Sequence, residues 1–225
     1  MVQLVRLSVA TVRRKRFFLA KEAVFAAMLV IASWTLTQAD DLERGKQLYT
    51  LCAVCHGETG QGNQQRNAPA IAGLESWYLE AQLHKFRDGL RGYHADDTTA
   101  LQMRPMARTL QTNDDVRAVA VYIASLPPAA PVSTVVGDQE RGKNLYTTCS
   151  ACHGPDGKGN EAVKSPGLRH QGDWYLVSQL KKFRAGLRGA QKDDAPGAQM
   201  RAMTVMLQDD QALNDIAAYV LTLGK

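Results

Sequence analysis

The feature that most constrains this chain is an internal repeat. The segment that begins at Glu43 reappears from Glu140, and the two copies correspond at a constant offset of 97 residues without a gap. ERGKQLYTLCAVCHG in the first copy becomes ERGKNLYTTCSACHG in the second, and WYLEAQLHKFRDGLRG becomes WYLVSQLKKFRAGLRG. Two copies are too few for a solenoid, so the repeat predicts one small domain written twice.

A proline-rich stretch with the sequence LPPAAP, residues 126–131, separates the copies. Proline clusters of this kind mark loops between elements. We therefore predict two domains, 40–131 and 132–225, each within the usual size range for a small domain. We call these ranges the first copy and the second copy.

The first 39 residues are predicted to be an export signal. They contain a basic region, an apolar run of 14 residues from Ala23 to Leu36, and Ala39 as a small residue for cleavage. The alternative is an uncleaved anchor, but 14 helical residues span only about 21 Å of a hydrocarbon core of roughly 30 Å. Either way the remaining chain is expected in the periplasm, free or peripherally associated with the membrane.

The net charge of +5 comes entirely from the predicted signal. Residues 1–39 hold six basic residues and one acidic residue, whereas residues 40–225 hold 21 of each. A strongly basic surface is the usual electrostatic requirement for nucleic-acid binding. The exported part lacks that excess, and a nucleic-acid partner is excluded.

Helical spacing of apolar residues runs through both copies, and no segment shows sustained strand alternation. The pattern predicts an all-α fold with three helices per copy. The first helix contains Gly45 and Tyr49, the central helix ends at Gly89, and the last helix begins after the N-cap residue Thr112. Three helices in each copy make a thin core, which suggests that a cofactor fills the middle.

All four cysteines lie in two Cys-x-x-Cys-His motifs, 52–56 and 149–153. This is the attachment signature of c-type haem. Two thiols at i and i+3 share one helical face and can bond the two haem vinyl groups, while the following histidine reaches the iron. The motifs predict two covalent haems, attached through Cys52, Cys55, Cys149 and Cys152, with His56 and His153 as axial ligands.

Three other interpretations of the motifs are weaker. Structural disulfides would not require a histidine after each pair, and a thioredoxin-like pair expects a preceding strand. A zinc site would have to join cysteine pairs 97 residues apart, although each pair belongs to a complete copy.

A second axial ligand should occur in both copies at the same offset. His84, His94 and His170 fail this test, because their counterparts are Lys181, Gln191 and Gly73. Two methionine pairs pass it: Met103 with Met200, and Met106 with Met203. A thioether ligand would raise the reduction potential of the haem.

With these motifs the chain resembles a class I di-haem cytochrome c, most closely the cytochrome c4 group, over essentially all of 40–225. The resemblance implies that the axial methionine stands seven positions before the leucine that starts the last helix. Met103 before Leu110 and Met200 before Leu207 fit this rule, which leaves Met106 and Met203 as the alternative pair.

The resemblance has three further implications. Pro69 and Pro166, each 13 residues after its haem histidine, would accept a hydrogen bond from the histidine Nδ1–H. The first and last helices would cross where Gly45 meets Tyr122 and Gly142 meets Tyr219. The two haems would face each other across a pseudo-twofold axis.

Basic residues follow the central helix in both copies. A basic helix end is usually a solvated face, but one of these residues could instead pair with a haem propionate. The six residues are Lys85, Arg87, Arg91, Lys182, Arg184 and Arg188.

These features predict an electron carrier rather than an enzyme, since two His/Met irons leave no vacant position for a substrate. The resemblance implies a quinol-oxidising complex or a dehydrogenase as donor and a terminal oxidase as acceptor. The alternative is an electron-transfer subunit of a flavoprotein or quinoprotein dehydrogenase. A di-haem peroxidase would need an open ligand position, and a sensor would need an effector domain.

Overall fold

The computed structural model describes residues 40–207 and 209–224, which are organised around eight α-helices. The residues before 40, including the predicted export signal, lie outside the described part. The helices are α1 (40–56), α2 (Ser76–Asp88), α3 (Thr98–Arg108), α4 (Asn113–Ser125), α5 (Gln139–His153), α6 (Asp173–Arg184), α7 (Ala195–Thr204) and α8 (Asp210–Val220). Within the two described ranges extended structure is limited to two isolated bridges. The all-α prediction is confirmed.

The first and last helices of each copy cross at a glycine. A β-carbon on Gly45 would collide with the backbone carbonyl of Ala118 in α4, and one on Gly142 would collide with that of Asp215 in α8. Beside each crossing two tyrosine rings pack with centroids 5.4 Å apart, Tyr49 with Tyr122 and Tyr146 with Tyr219. Only glycine permits this approach, and the crossings lie where the resemblance implied.

The last helix of each copy supplies the centre of its core. Val116 and Val119 in α4 are fully buried, as is Leu213 in α8. The Thr112 hydroxyl accepts a hydrogen bond from the Asp115 backbone N–H at 3.0 Å, and the Asp115 carboxylate accepts one from the Thr112 N–H at 3.1 Å. This capping box fixes the start of α4, as predicted for Thr112.

Each copy contains four α-helices, so the predicted count of three was wrong. The additional helices, α3 and α7, carry the candidate methionines, in a segment for which the sequence pattern predicted no helix. Pro105 lies inside α3, where proline is disfavoured, and this weakens the helical signal of the sequence. Asp97 and Asp194 cap the two helices by accepting hydrogen bonds from the N–H groups of Ala100 and Gly197.

The first residues of the second copy are held to its central helix by one buried carboxylate. Asp173, at the start of α6, is fully buried. It accepts hydrogen bonds from the Thr134 N–H at 2.8 Å, the Thr134 hydroxyl at 2.6 Å and the Val135 N–H at 2.9 Å. Burial would raise the pKa of Asp173, but these hydrogen bonds outweigh it and hold the pKa below its usual value.

Replacing Asp173 by Asn should destabilise the protein by roughly 2–3 kcal/mol near neutral pH, because the buried donors lose a charged acceptor. A lowered folded-state pKa stabilises the fold above the unfolded value of about 3.9, and this contribution is lost as the pH falls through the folded value. Denaturant titrations should therefore show the difference shrinking in acid. The exposed Asp193→Asn variant is the control. An equal difference at both pH values would contradict the assignment.

Candidate functional site

Both Cys-x-x-Cys-His motifs form the last turn of a helix, α1 in the first copy and α5 in the second. His56 and His153 are buried, with 6% and 5% of their surface exposed. Gly57 and Gly154 end the two helices with φ values of 81° and 80°, a conformation that favours glycine. The thiols and the imidazole of each motif are thus presented together at a fixed helix end.

A tyrosine hydroxyl holds each of these helix ends in place. The Tyr49 hydroxyl donates to the Gly57 carbonyl at 2.6 Å, and the Tyr146 hydroxyl donates to the Gly154 carbonyl at 2.8 Å. Burial raises the pKa of Tyr49 to about 12, so its hydroxyl keeps the proton that it donates. The helical pattern predicted only that Tyr49 lies in the first helix, and the role of the two hydroxyls was missed. The available signal was their spacing, eight residues before the glycine in both copies.

The two histidines share one hydrogen-bonding arrangement. His56 Nδ1 lies 2.8 Å from the Pro69 carbonyl oxygen, and His153 Nδ1 lies 2.8 Å from that of Pro166. A carbonyl only accepts, so each Nδ1 carries the proton and each Nε2 keeps its lone pair. Burial lowers the pKa of His56 and His153, and the bond to the proline opposes this only in part. The neutral imidazole, which is the form that binds metals, is favoured.

The candidate methionines differ in exposure. Met103 is half-buried and packs against the cluster of Phe86, Ala100 and Ala107, and Met200 is also half-buried. Met106 is half-buried, but its counterpart Met203 is 39% exposed. A pair that acts alike in both copies should have similar surroundings. This condition favours Met103 and Met200 over the later pair.

The donor atoms in each copy fit a c-type haem. All four cysteines are free thiols. Burial raises the pKa of Cys52 to about 11 and also raises that of Cys149. With an imidazole whose Nε2 is free and a thioether from a separate helix, each copy has the attachment atoms and two axial donors that haem c requires.

The four cysteines and the three histidines outside the motifs have different surroundings. None of the four cysteines is in a disulfide. Among the described residues no three histidine, cysteine, aspartate or glutamate side chains come together as a metal site. His84 lies 2.9 Å from an Arg87 nitrogen, His94 is half exposed, and His170 Nδ1 lies 3.1 Å from the Ala129 carbonyl oxygen.

Two buried arginines join the copies through a reciprocal network. Arg91 donates to Gln82 in its own copy at 3.0 Å, and to the Tyr175 hydroxyl and Gln179 of the second copy at 2.9 and 3.0 Å. Arg188 of the second copy makes the equivalent hydrogen bonds in the opposite direction. It donates to its own Gln179 at 2.8 Å, and to Tyr78 and Gln82 of the first copy at 3.2 and 3.0 Å. The partners correspond at the repeat offset, so this interface has pseudo-twofold symmetry.

The six basic residues fall into separate classes: four of them lie in the last turns of α2 and α6 rather than after these helices, and Arg91 and Arg188 follow the helices. Lys85 and Lys182 form ion pairs with aspartates of the other copy, and Arg87 and Arg184 bond groups of their own copies. Arg91 and Arg188, 7% and 8% exposed, have only neutral acceptors among the described residues, and the buried Arg91 Nε has none. Burial would raise the pKa of Tyr175, but the charges of Arg91, Arg188 and Lys182 outweigh it and lower the pKa. The two guanidinium groups therefore place positive charge around this tyrosine.

In the described part of the chain, none of the helices has the length and apolar character needed to cross a membrane.

Comparison with known proteins gives consistent matches over both copies. The sequence profile of the family described as Cytochrome c matches residues 42–127 and again residues 139–224. A protein from Stutzerimonas stutzeri named thiosulfate dehydrogenase electron acceptor is 28% identical over 217 residues, which is 87% of this chain and 93% of that protein.

Two solved structures resemble this one. Reduced cytochrome c4 from Pseudomonas stutzeri superposes with a TM-score of 0.63 at 25% identity, over 80% of this chain and 97% of that one. A thiosulfate dehydrogenase from Marichromatium purpuratum gives a TM-score of 0.66 at 30% identity, over 80% of this chain but only 40% of the other. This chain thus corresponds to less than half of the latter protein. These matches confirm the predicted resemblance.

Proposed function

This chain belongs to the cytochrome c family, and we propose that it carries electrons between redox proteins of the periplasm or the membrane surface. The observation that carries the proposal is the repeated site: two thiols, a buried imidazole with Nδ1 bonded to a proline carbonyl, and a half-buried methionine, at the same positions in both copies. When bound, each haem supplies an iron that gains or loses one electron.

In this proposal each residue of the site has one role. Cys52 and Cys55, like Cys149 and Cys152, attach the haem covalently. His56 and His153 would be ligands of the iron, and the Pro69 and Pro166 carbonyls would hold their rings in orientation. Met103 and Met200 would supply the second protein ligands and favour the reduced state. The relatives named as an electron acceptor and as cytochrome c4 support a carrier rather than an enzyme.

We infer that the carrier accepts electrons from a dehydrogenase and passes them to a terminal oxidase. The named relative that acts as electron acceptor of a thiosulfate dehydrogenase supports such a donor. The related segment of the solved thiosulfate dehydrogenase supports the second candidate, a subunit bound to its catalytic partner. Export through cleavage after Ala39 remains part of the proposal. A mature protein that begins at Asp40 in the periplasmic fraction would support it, and a membrane-bound chain that retains residues 1–39 would show an anchor.

Electron transfer with separate partners tests this function. The di-haem protein is mixed with a thiosulfate dehydrogenase and thiosulfate, and haem reduction is followed optically; membranes that contain a terminal oxidase are then added. We expect rapid reduction followed by reoxidation. Co-purification with a dehydrogenase in a fixed ratio would favour the subunit. Turnover of peroxide by the chain alone would contradict the carrier role.

We also propose that Arg91 and Arg188 face the propionates of the haems. The two buried guanidinium groups donate hydrogen bonds only to neutral acceptors, so further anions nearby would stabilise them, and arginine binds carboxylates well. Positive charge beside an iron favours the reduced state. Replacing Arg188 by Gln should therefore lower the reduction potential by tens of millivolts, the order that one unit charge about 10 Å away gives at an effective dielectric constant of about 20.

Redox titration of the Arg188→Gln protein measures this shift. Arg66→Gln removes the same charge from an exposed position, where solvent and salt screen it, and should change the potentials little. Unchanged potentials in Arg188→Gln with both haems in place would contradict the propionate assignment.

A further inference from the structure

Two lysines at the interface reach across to the opposite copy. The Lys85 ammonium of α2 lies 2.5 Å from Asp194 Oδ1 of the second copy, and the Lys182 ammonium of α6 lies 2.6 Å from Asp97 Oδ1 of the first. All four positions correspond at the repeat offset of 97 residues. Asp97 and Asp194 are 1% and 3% exposed, and the lysine side chains are 18% and 15% exposed, so solvent screens these pairs only weakly.

The aspartates that receive these lysines are the N-caps of the methionine-bearing helices. Asp194 Oδ1 accepts from the Gly197 N–H at 3.0 Å and caps α7, and Asp97 Oδ1 accepts from the Ala100 N–H at 3.2 Å and caps α3. In each case the same oxygen accepts from the cap N–H and from the lysine of the other copy. The position of the helix start is therefore set jointly by both copies.

Met103 and Met200 each stand six residues after their cap, which is about 9 Å along the helix axis. α3 and α7 have only 11 and 10 residues, so their start is a large part of what positions the methionine. A buried carboxylate that loses its cation is strongly disfavoured and moves toward solvent or a new partner. Such a movement would shift or fray the helix that presents the methionine.

We propose that Lys85 is a positioning residue for Met200 and Lys182 one for Met103, so that each copy controls the sixth iron ligand of the other. The inference rests on the proposed role of these methionines as ligands. It gives the repeat a functional consequence beyond the presence of two haems. A change at the interface would affect the second-copy iron through Lys85–Asp194 and the first-copy iron through Lys182–Asp97.

The test compares Lys85→Met and Lys182→Met in the di-haem protein. The axial methionine methyl groups give separate NMR signals in the reduced state, and Met103→His and Met200→His variants assign them to the copies. We expect Lys85→Met to broaden or shift the Met200 signal and to change the potential of the second-copy haem more than that of the first. Lys182→Met should act on Met103 and the first-copy haem.

Lys181→Met is the matched control. It removes the same charge one residue from Lys182, but Lys181 pairs with Asp210 of its own copy at 2.6 Å and is 46% exposed. It should leave both methionine signals in place. Lys85→Arg keeps the cation, so its Met200 signal and its second-copy potential should stay close to those of the wild type. If Lys85 only filled space, keeping its charge would not be needed to preserve them.

If Lys85→Met fails to load haem, Asp194→Asn tests the same ion pair from its other side. Asparagine also caps helices well, so this variant removes the charge that pairs with Lys85 while the cap is kept. It should perturb the second-copy haem selectively, and Lys85→Gln added to it should have little further effect. Changes confined to the lysine's own copy, equal changes at both haems, or none would overturn the proposal. If the wild-type protein gives no methionine-ligand signals, the ligand assignment itself fails, and this result is distinct from the other three.

Discussion

Replacing Met200 by His is expected to lower the reduction potential of the second-copy haem and leave that of the first nearly unchanged. Met200 is half-buried in α7, at the position equivalent to Met103 in α3. Thioether ligation raises haem potentials, and a second imidazole removes this effect. We expect a fall on the order of 0.2 V, a part of the roughly 0.8 V range that axial ligands can set.

Two measurements check this expectation. A redox titration should resolve one unchanged and one lowered potential, and the Met–iron charge-transfer band of the oxidised protein should fall to about half. Met203→His is the matched control, since this residue lies three positions further along α7 and is 39% exposed. We expect it to behave like the wild type. An effect from Met203→His and none from Met200→His would instead identify the later pair as the ligands.

Replacing both Cys149 and Cys152 by Ala should leave a protein with one covalent haem. These are the only cysteines of the second copy, and without thioether bonds no covalent link to a haem remains. Mass spectrometry of the intact chain should show the loss of one haem, and pyridine haemochrome should report half the wild-type content per chain.

The equivalent Cys52→Ala and Cys55→Ala chain is the reciprocal control and should lose the other haem. Retention of two covalent haems in either chain would contradict attachment at these motifs. The second copy should also unfold more easily without its haem. Its cores, around Tyr146, Ile216 and Val220 and around Val177 and Leu213, contain few fully buried side chains.

The sequence was sufficient to predict the features that depend on local order and on the repeat. The repeat offset of 97 residues was enough to prefer Met103 and Met200 as candidate ligands over histidines such as His84, which have no counterpart in the other copy. The capped last helix was evident from Thr112, because a capping residue and an apolar face are both local patterns. The helical signal of α3 is weakened by Pro105, which lies inside the helix, although Asp97 in front of it is a recognisable cap.

The contacts between the copies could not be predicted from local patterns. Arg91 and Lys85 read as a basic helix end, which is normally solvated, and only the structure brings Tyr175 and Asp194 to them from the other copy. A side chain that pairs across some hundred residues leaves no periodic signal at either end. The lysine and the aspartate of each pair do recur at the repeat offset. This recurrence can be recognised in the sequence only after the structure has shown which residues pair.

The central claim is that both irons have histidine and methionine ligands and serve only to carry electrons. Optical spectroscopy of the purified di-haem chain tests it most directly, by oxidising the protein, reducing it and adding carbon monoxide. We expect two low-spin haems, a Met–iron band in the oxidised state, positive potentials and no carbon monoxide binding. A high-spin haem that binds carbon monoxide or peroxide would contradict it and would indicate an open position for a substrate.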